Sequence, residues 1–225
     1  CERPRRGMED TPAQLVSNAM IEKRYALITG ASSGLGAEFA QQLAALGHPL
    51  ILVARREEKL AALASTLHEQ YSVAVEVIAA DLSQPDTPQK IATLCSASGW
   101  QVEWLINNAG VAGPDLLKDR DWSQQHAFYQ LMMLSVAEMC HLFIPSMVER
   151  EQGRVINIAS VAARVPRSGG CNYGPAKAYV VALSEELHLS VAGPGVNVTA
   201  LCPGFTHTEF HETAGLMDMK NNMAK

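Results

Sequence analysis

The chain has 225 residues, 48% hydrophobic and 18% charged, with a formal net charge of −5. That length suits one domain with a sizeable core, and the acidic balance disfavours nucleic acid as a main partner. No apolar run approaches the ~20 residues a membrane helix needs, no secretory signal pattern is present, and five scattered cysteines without Cys-x-x-Cys fit reduced thiols in a cytoplasmic protein.

Residues 1–19 stand apart from the rest. They open Arg- and Pro-rich and show no periodicity, so they are expected outside the fold, either as a natural extension or as a tag remnant before Met20. The domain proper is expected over 20–225.

Residues 25–29 form a short apolar run, predicted as a buried strand. It leads into Thr29-Gly30-Ala31-Ser32-Ser33-Gly34-Leu35-Gly36 and then a helical pattern over 37–46. Strand, glycine-rich turn and helix together suit a pyrophosphate: glycines admit the phosphates, and the helix start offers free N–H groups and a positive dipole end. The plainer alternative is a tight turn with packing glycines.

A second strand is predicted over 49–54, ending at Ala54-Arg55-Arg56. An acidic residue there would accept from the adenosine ribose and favour NAD. Ala54 cannot, whereas two arginines match a 2′-phosphate, which points to NADP(H); the alternative is a solvated helix start. Residues 57–70 read as an amphipathic helix with Leu60, Leu63, Ala64 and Leu67 on one face. A third strand over 73–79 runs into Asp81-Leu82, where the carboxylate suits either an adenine amino group or a helix cap.

A short helix over 89–96 precedes a fourth strand over 102–106 and then Asn107-Asn108-Ala109-Gly110. Those residues fit a turn over a cofactor ribose, or any tight turn. Residues 122–150 read as a long helix, interrupted or ended at Pro145; its methionines Met132, Met133 and Met139 suit packing. A fifth strand over 155–159 ends at Ser160, and a helix from Tyr173 runs to about 191 before Gly193-Pro194-Gly195. A sixth strand over 197–201 precedes Cys202-Pro203-Gly204. This β-α alternation predicts one α/β domain, a doubly wound parallel sheet between two helical layers. The candidate residues cluster at the C-terminal strand ends, where ligands sit in such sheets.

Tyr173 and Lys177 are four apart and share a helix face. A free tyrosine titrates near pKa ~10, and a neighbouring ammonium makes its phenol easier to ionise. Ser160 lies 13 residues upstream at a strand end.

Taken in order, Thr29-Gly-x-x-x-Gly-x-Gly36, Asn107-Asn-Ala-Gly110, Ser160, Tyr173-x-x-x-Lys177 and Pro203-Gly204 resemble the short-chain dehydrogenase/reductase family across about 23–214. The resemblance implies a Rossmann fold and NAD(P)-dependent interconversion of carbonyls and alcohols. It implies that Tyr173 is the general acid or base, that Ser160 binds the substrate oxygen and that Lys177 holds the nicotinamide ribose and favours the tyrosinate. Gly30, Ser32, Ser33, Gly34 and Leu35 would line the pyrophosphate. Arg55, and less surely Arg56, would hold the 2′-phosphate. Asp81 and Leu82 would flank adenine, Asn108, Ala109 and Gly110 the adjoining ribose, and Pro203, Gly204, Thr206 and Thr208 the nicotinamide.

Two departures accompany the resemblance. Many members carry an Asn on the long central helix that anchors a relay water behind the lysine; counting back from Pro145, that position is Met132, a weak acceptor and no donor. Either the relay runs on backbone and water, or turnover is slow, or the register is displaced. The chain also ends soon after Pro203-Gly204, where members continue with a substrate-covering segment, so a missing C-terminal part is expected.

The main reading is an NADP(H)-dependent oxidoreductase acting on a small carbonyl or alcohol substrate; the alternative is a non-catalytic dinucleotide-binding sensor or scaffold. His207-x-x-x-His211 lacks a third ligand, so no metal is expected. Arg164 and Arg167 suit an anionic substrate or simple solvation. From the family, a homodimer or homotetramer through the helices over 122–150 and 173–191 is expected.

Overall fold

The structure, a computed structural model, describes residues 24–165, 172–193 and 195–204. The extension over 1–19, Thr206, Thr208, the His207/His211 pair, Arg167, Cys1 and Cys171 lie outside the described residues.

Six strands form one wholly parallel sheet: β1 (Arg24–Thr29), β2 (Leu50–Ala54), β3 (Val75–Ala79), β4 (Gln101–Asn107), β5 (Gly153–Ile158) and β6 (Val196–Leu201). Their spatial order is β3-β2-β1-β4-β5-β6, the two-halved Rossmann arrangement. Between them run α1 (Gly34–Ala45), α2 (Glu57–Tyr71), α3 (Thr87–Ala97), α4 (Trp122–Glu149) and α5 (Tyr173–Val191).

Alternation along the strands divides the core in two. Ala26 and Ile28 of β1, with Leu50 and Leu52 of β2, meet Ala40, Leu43, Leu60 and Leu67 from α1 and α2. Tyr25 and Leu27, with Ile51 and Val53, face the other way onto Ile91, Met139, Phe143 and Met147 from α3 and α4. Both faces of the central strands are therefore covered, which explains their unbroken apolar composition.

The expected break in α4 at Pro145 does not occur: Ser135–Glu149 is continuous α-helix through that proline. Pro145 and His141, whose carbonyl the proline cannot serve, are both exposed, so water can satisfy that carbonyl. The irregularity lies earlier, in a π-helical turn over Gln130–Leu134. There Ser135 N–H donates to the Gln130 carbonyl, and Ser135 Oγ donates to the Leu131 carbonyl at 2.7 Å. Such turns often mark functional sites.

One further expectation is corrected. By length and composition, the 28-residue helix Trp122–Glu149 could cross a membrane. Half of its most apolar stretch is buried against the rest of the fold, as in a core helix.

Candidate active site

The sheet order reverses between β1 and β4, the point beyond whose strand ends such sheets bind their ligands. Two turns meet there. Thr29, at the end of β1, is 1% exposed, and its hydroxyl accepts from the N–H groups of Asn108 (2.9 Å) and Ala109 (3.0 Å) while donating to the Ile106 carbonyl (3.3 Å). Asn108 replies with its side chain: Nδ2 donates to the carbonyls of Thr29 (2.9 Å) and Gly30 (3.2 Å). Its amide is thus committed to holding the glycine turn. Gly30 has φ +67°, and a Cβ there would stand 2.8 Å from the Ala109 Cα, so no other residue fits without displacement.

The glycine turn delivers α1. Its N-cap, Ser33, makes no side-chain cap bond, and no acidic residue occupies the first turn. Across this helix start lies Arg56, whose Nη2 donates to Ser32 Oγ (2.9 Å) and Ser33 Oγ (2.8 Å), with Nε 3.2 Å from Ser32 Oγ. Leu35 is half-buried beside it. A guanidinium, two hydroxyls and a helix N-terminus without a capping side chain form a donor set suited to phosphate oxygens. Arg55 is exposed at the end of β2. The structure thus sets Arg56, ranked second in the sequence, against the glycine turn.

Asp81 does not cap α3, whose N-cap is Asp86. Asp81 instead forms an Asx turn, accepting from Ser83 N–H at 3.0 Å, while its carbonyl accepts from Thr87 Oγ1 at 2.8 Å. Leu82 is buried with the α3–α4 core, so its side chain is taken up by packing.

Ser160 closes β5 and caps a 3₁₀ turn over Val161–Ala163; its Oγ accepts from Ala162 N–H at 3.2 Å. Gly174 of α5 rests directly on that turn, since a Cβ there would lie 2.9 Å from the Ala162 carbonyl oxygen. The first turn of α5, with Tyr173, is therefore seated against the Ser160 turn. Pro203 accepts from Val161 N–H at 3.1 Å and ties the end of β6 to the same place. Gly204 is exposed, and among the described residues nothing would meet a Cβ there.

Lys177 is 5% exposed, and its Nζ donates to the Ile158 carbonyl at 2.6 Å. It sits 5.7 Å from the Tyr173 ring centroid. Burial pushes its ammonium down from the ordinary 10.5 to about 8, a drop that attraction to the nearby Cys202 sulfur opposes. Tyr173 is half-buried against Met132, Phe128 and Ala176. Met132 lies inside the π-helical turn at 1% exposure, beneath the Asn108–Gly110 turn. Its sulfur accepts from Val111 N–H at 3.4 Å, and a Cβ on Gly110 would meet it at 3.3 Å.

Sequence reading set Asn107 in the turn after the fourth strand but did not foresee the buried polar cluster it joins beneath the site. Asn107 Nδ2 donates to Asn157 Oδ1 at 2.8 Å, and Asn157 Nδ2 donates to Ser184 Oγ at 3.0 Å. Cys140 touches both asparagines, and burial raises its thiol to about 11, so it stays neutral. The cluster joins β4, β5, α4 and α5 below the catalytic candidates. Apart from Asn107, whose motif was legible, these residues lie far apart in sequence and carry no local signal of their pairing.

A family model described as short chain dehydrogenase matches residues 24–218. Sulfoacetaldehyde reductase of Chromohalobacter salexigens is 35% identical over 185 residues, covering 81% of this chain and 72% of that protein. A short-chain dehydrogenase from Sphingobium yanoikuyae in complex with NADPH has a TM-score of 0.80 at 35% identity, covering 85% of this chain and 75% of that one. A short chain dehydrogenase/reductase from Burkholderia phymatum in complex with NAD has a TM-score of 0.77 at 30% identity, covering 88% and 72%. Fold, site geometry and these similarities place the chain in the short-chain dehydrogenase/reductase family, with a nicotinamide dinucleotide as its class of cofactor.

Proposed function

We propose that the protein is an NADP(H)-dependent oxidoreductase that interconverts a small-molecule carbonyl and a secondary alcohol. The observation carrying this reading is the seating of the first turn of α5, with Tyr173 and Lys177, on the turn that begins at Ser160. The dinucleotide, when bound, supplies or accepts the hydride. Tyr173 donates a proton to the carbonyl oxygen during reduction and takes it back during oxidation. Ser160 Oγ accepts from the Ala162 N–H, which leaves its O–H to donate to the same oxygen. Lys177 favours the tyrosinate by its charge and holds the ribose next to the nicotinamide.

On the cofactor side, Gly30, Ser32, Ser33, Gly34 and Leu35 cradle the pyrophosphate. Arg56 and the exposed Arg55 supply cations for a 2′-phosphate, and Ala54 offers no carboxylate to ribose hydroxyls. The backbone of Asp81 and Leu82 borders adenine, and Ala109 and Gly110 the adjoining ribose. Pro203, Gly204, Thr206 and Thr208 approach the nicotinamide. Arg164 is ion-paired with Glu185 at 3.2 Å, which speaks against a dedicated role in anion binding. The sensor or scaffold reading is not favoured, because the matching family model and the similar proteins are those of dehydrogenases and reductases.

Steady-state oxidation of NADPH with a panel of ketones and aldehydes tests the reading. The wild type is expected to turn over, and Tyr173→Phe to lose activity; unchanged turnover in that variant sinks the acid assignment. Arg55→Ala and Arg56→Ala should each weaken NADPH more than NADH, and equal loss for both cofactors refutes the phosphate role.

A further inference from the structure

Asn172 heads α5 in an unusual way. As the N-cap residue it would ordinarily turn its side-chain oxygen onto the first N–H groups of its own helix. It makes no such bond. Its carbonyl accepts from Ala176 N–H at 2.9 Å, and its Nδ2 donates across to the Tyr129 hydroxyl on α4 at 2.5 Å. The two partners are 43 residues apart in sequence.

Tyr129 occupies a particular place on α4. It is the last residue of the segment Trp122–Tyr129, directly before the π-helical turn that carries Met132. Its ring is braced by Trp122 (centroids 6.2 Å apart) and by Phe128 (5.8 Å). The same small cluster holds Met132, Ala176 and Tyr173. The first turn of α5 is thus gripped on two sides. Gly174 rests on the Ser160 turn, and Asn172 is bonded to α4. Tyr173 is the residue between those two anchors.

We propose that Tyr129, acting through Asn172, is a positioning residue that sets where the Tyr173 phenol stands relative to Ser160. The inference rests on the reading of Tyr173 as proton donor. Tyr129 does not itself need to reach the substrate. Its hydroxyl fixes the start of α5 against a ring already held by two aromatic neighbours. Small displacements of a reacting group are costly, with a misplacement of about 1 Å able to reduce rate by about a hundredfold.

Tyr129→Phe keeps the ring and its packing and removes the hydroxyl. The expected result is a fall in kcat of about tenfold, intermediate between no effect and that hundredfold limit. The Kd for NADPH should change less than about twofold, because the glycine turn is not touched. Asn172→Ala should produce a similar fall, and the double variant should be no worse than the more impaired single one, as expected for a coupled pair. Unchanged kcat, independent additive losses, or a kcat loss matched by weaker NADPH binding overturns the proposal. Crystal structures of the wild type and Tyr129→Phe separate this from failure of the functional reading. If the wild type reduces no carbonyl, that reading falls. Positioning then stands if the Tyr173 side chain is displaced relative to Ser160 in the variant, and is overturned if the two structures superimpose there.

Discussion

Replacing Lys177 by methionine should make the protein more stable while disabling it. Methionine fills nearly the same volume without a charge. In the native protein the ammonium is buried and pushed from 10.5 to about 8. At about 1.4 kcal/mol per pKa unit, holding it protonated at neutral pH costs the fold about 3 kcal/mol. Removing it also strands the Ile158 carbonyl, which accepts from Nζ at 2.6 Å, and forfeits about 1–2 kcal/mol. The net gain for Lys177→Met at pH 7 is about 1–2 kcal/mol, or a rise in Tm of about 3–6 °C for a chain of this size.

The sign of the pH dependence follows from proton binding. Between about 8 and 10.5 the unfolded lysine keeps its proton while the buried one gives it up. The unfolded state then binds more protons, so wild-type stability rises with pH across that window. The penalty is full below about 8 and gone above 10.5, and the advantage of Lys177→Met should shrink across the same interval. Denaturant unfolding of both proteins at several pH values from 7 to about 10.5 measures this, the upper end being the unfolded lysine pKa. A variant less stable than wild type at pH 7, or an advantage that does not change with pH, refutes the reasoning.

Three other substitutions probe the scaffold around the site. Thr29→Val keeps the shape but leaves the N–H groups of Asn108 and Ala109 without their acceptor, and should lower stability by about 1–3 kcal/mol in denaturant unfolding. Gly30→Ala, forced into φ +67° with its Cβ against the Ala109 backbone, should reduce NADPH affinity at least tenfold by fluorescence titration; wild-type affinity would show that the turn tolerates a side chain. Met132→Asn supplies a donor and a stronger acceptor beneath Gly110 and should raise kcat several-fold without changing NADPH affinity; an unchanged kcat would mean that proton supply does not limit turnover.

Much of this architecture was legible in the sequence because the signals are local. Apolar runs ended by glycine, asparagine or serine mark the strands, and the regular β-α alternation leads directly to a parallel sheet. Helical spacing alone puts Tyr173 and Lys177 on one face of α5, while their proposed roles rest on the company of Ser160 and the glycine turn. What escaped depends on contacts distant in sequence or on which side of an element faces water. Pro145 looks like a helix breaker until its exposure is known. Arg55 was ranked ahead of Arg56 for the 2′-phosphate, but the path of the chain after β2 turns Arg56 onto Ser32 and Ser33. Asn108 was read as a ribose contact, and nothing local in the chain announces that its amide also bonds back to β1 across 79 residues. The Asn107–Asn157–Ser184 chain and the Tyr129–Asn172 bond are likewise pairings that one sequence cannot announce.

The most direct test of the central claim follows the transferred hydrogen. NADPH carrying deuterium at the reactive C4 position is supplied with a ketone substrate, and the alcohol product is weighed by mass spectrometry. The account predicts one deuterium on the new carbinol carbon with the wild type, and no product above background with Tyr173→Phe. Product formed without the label, or labelled product formed equally well by Tyr173→Phe, would contradict it.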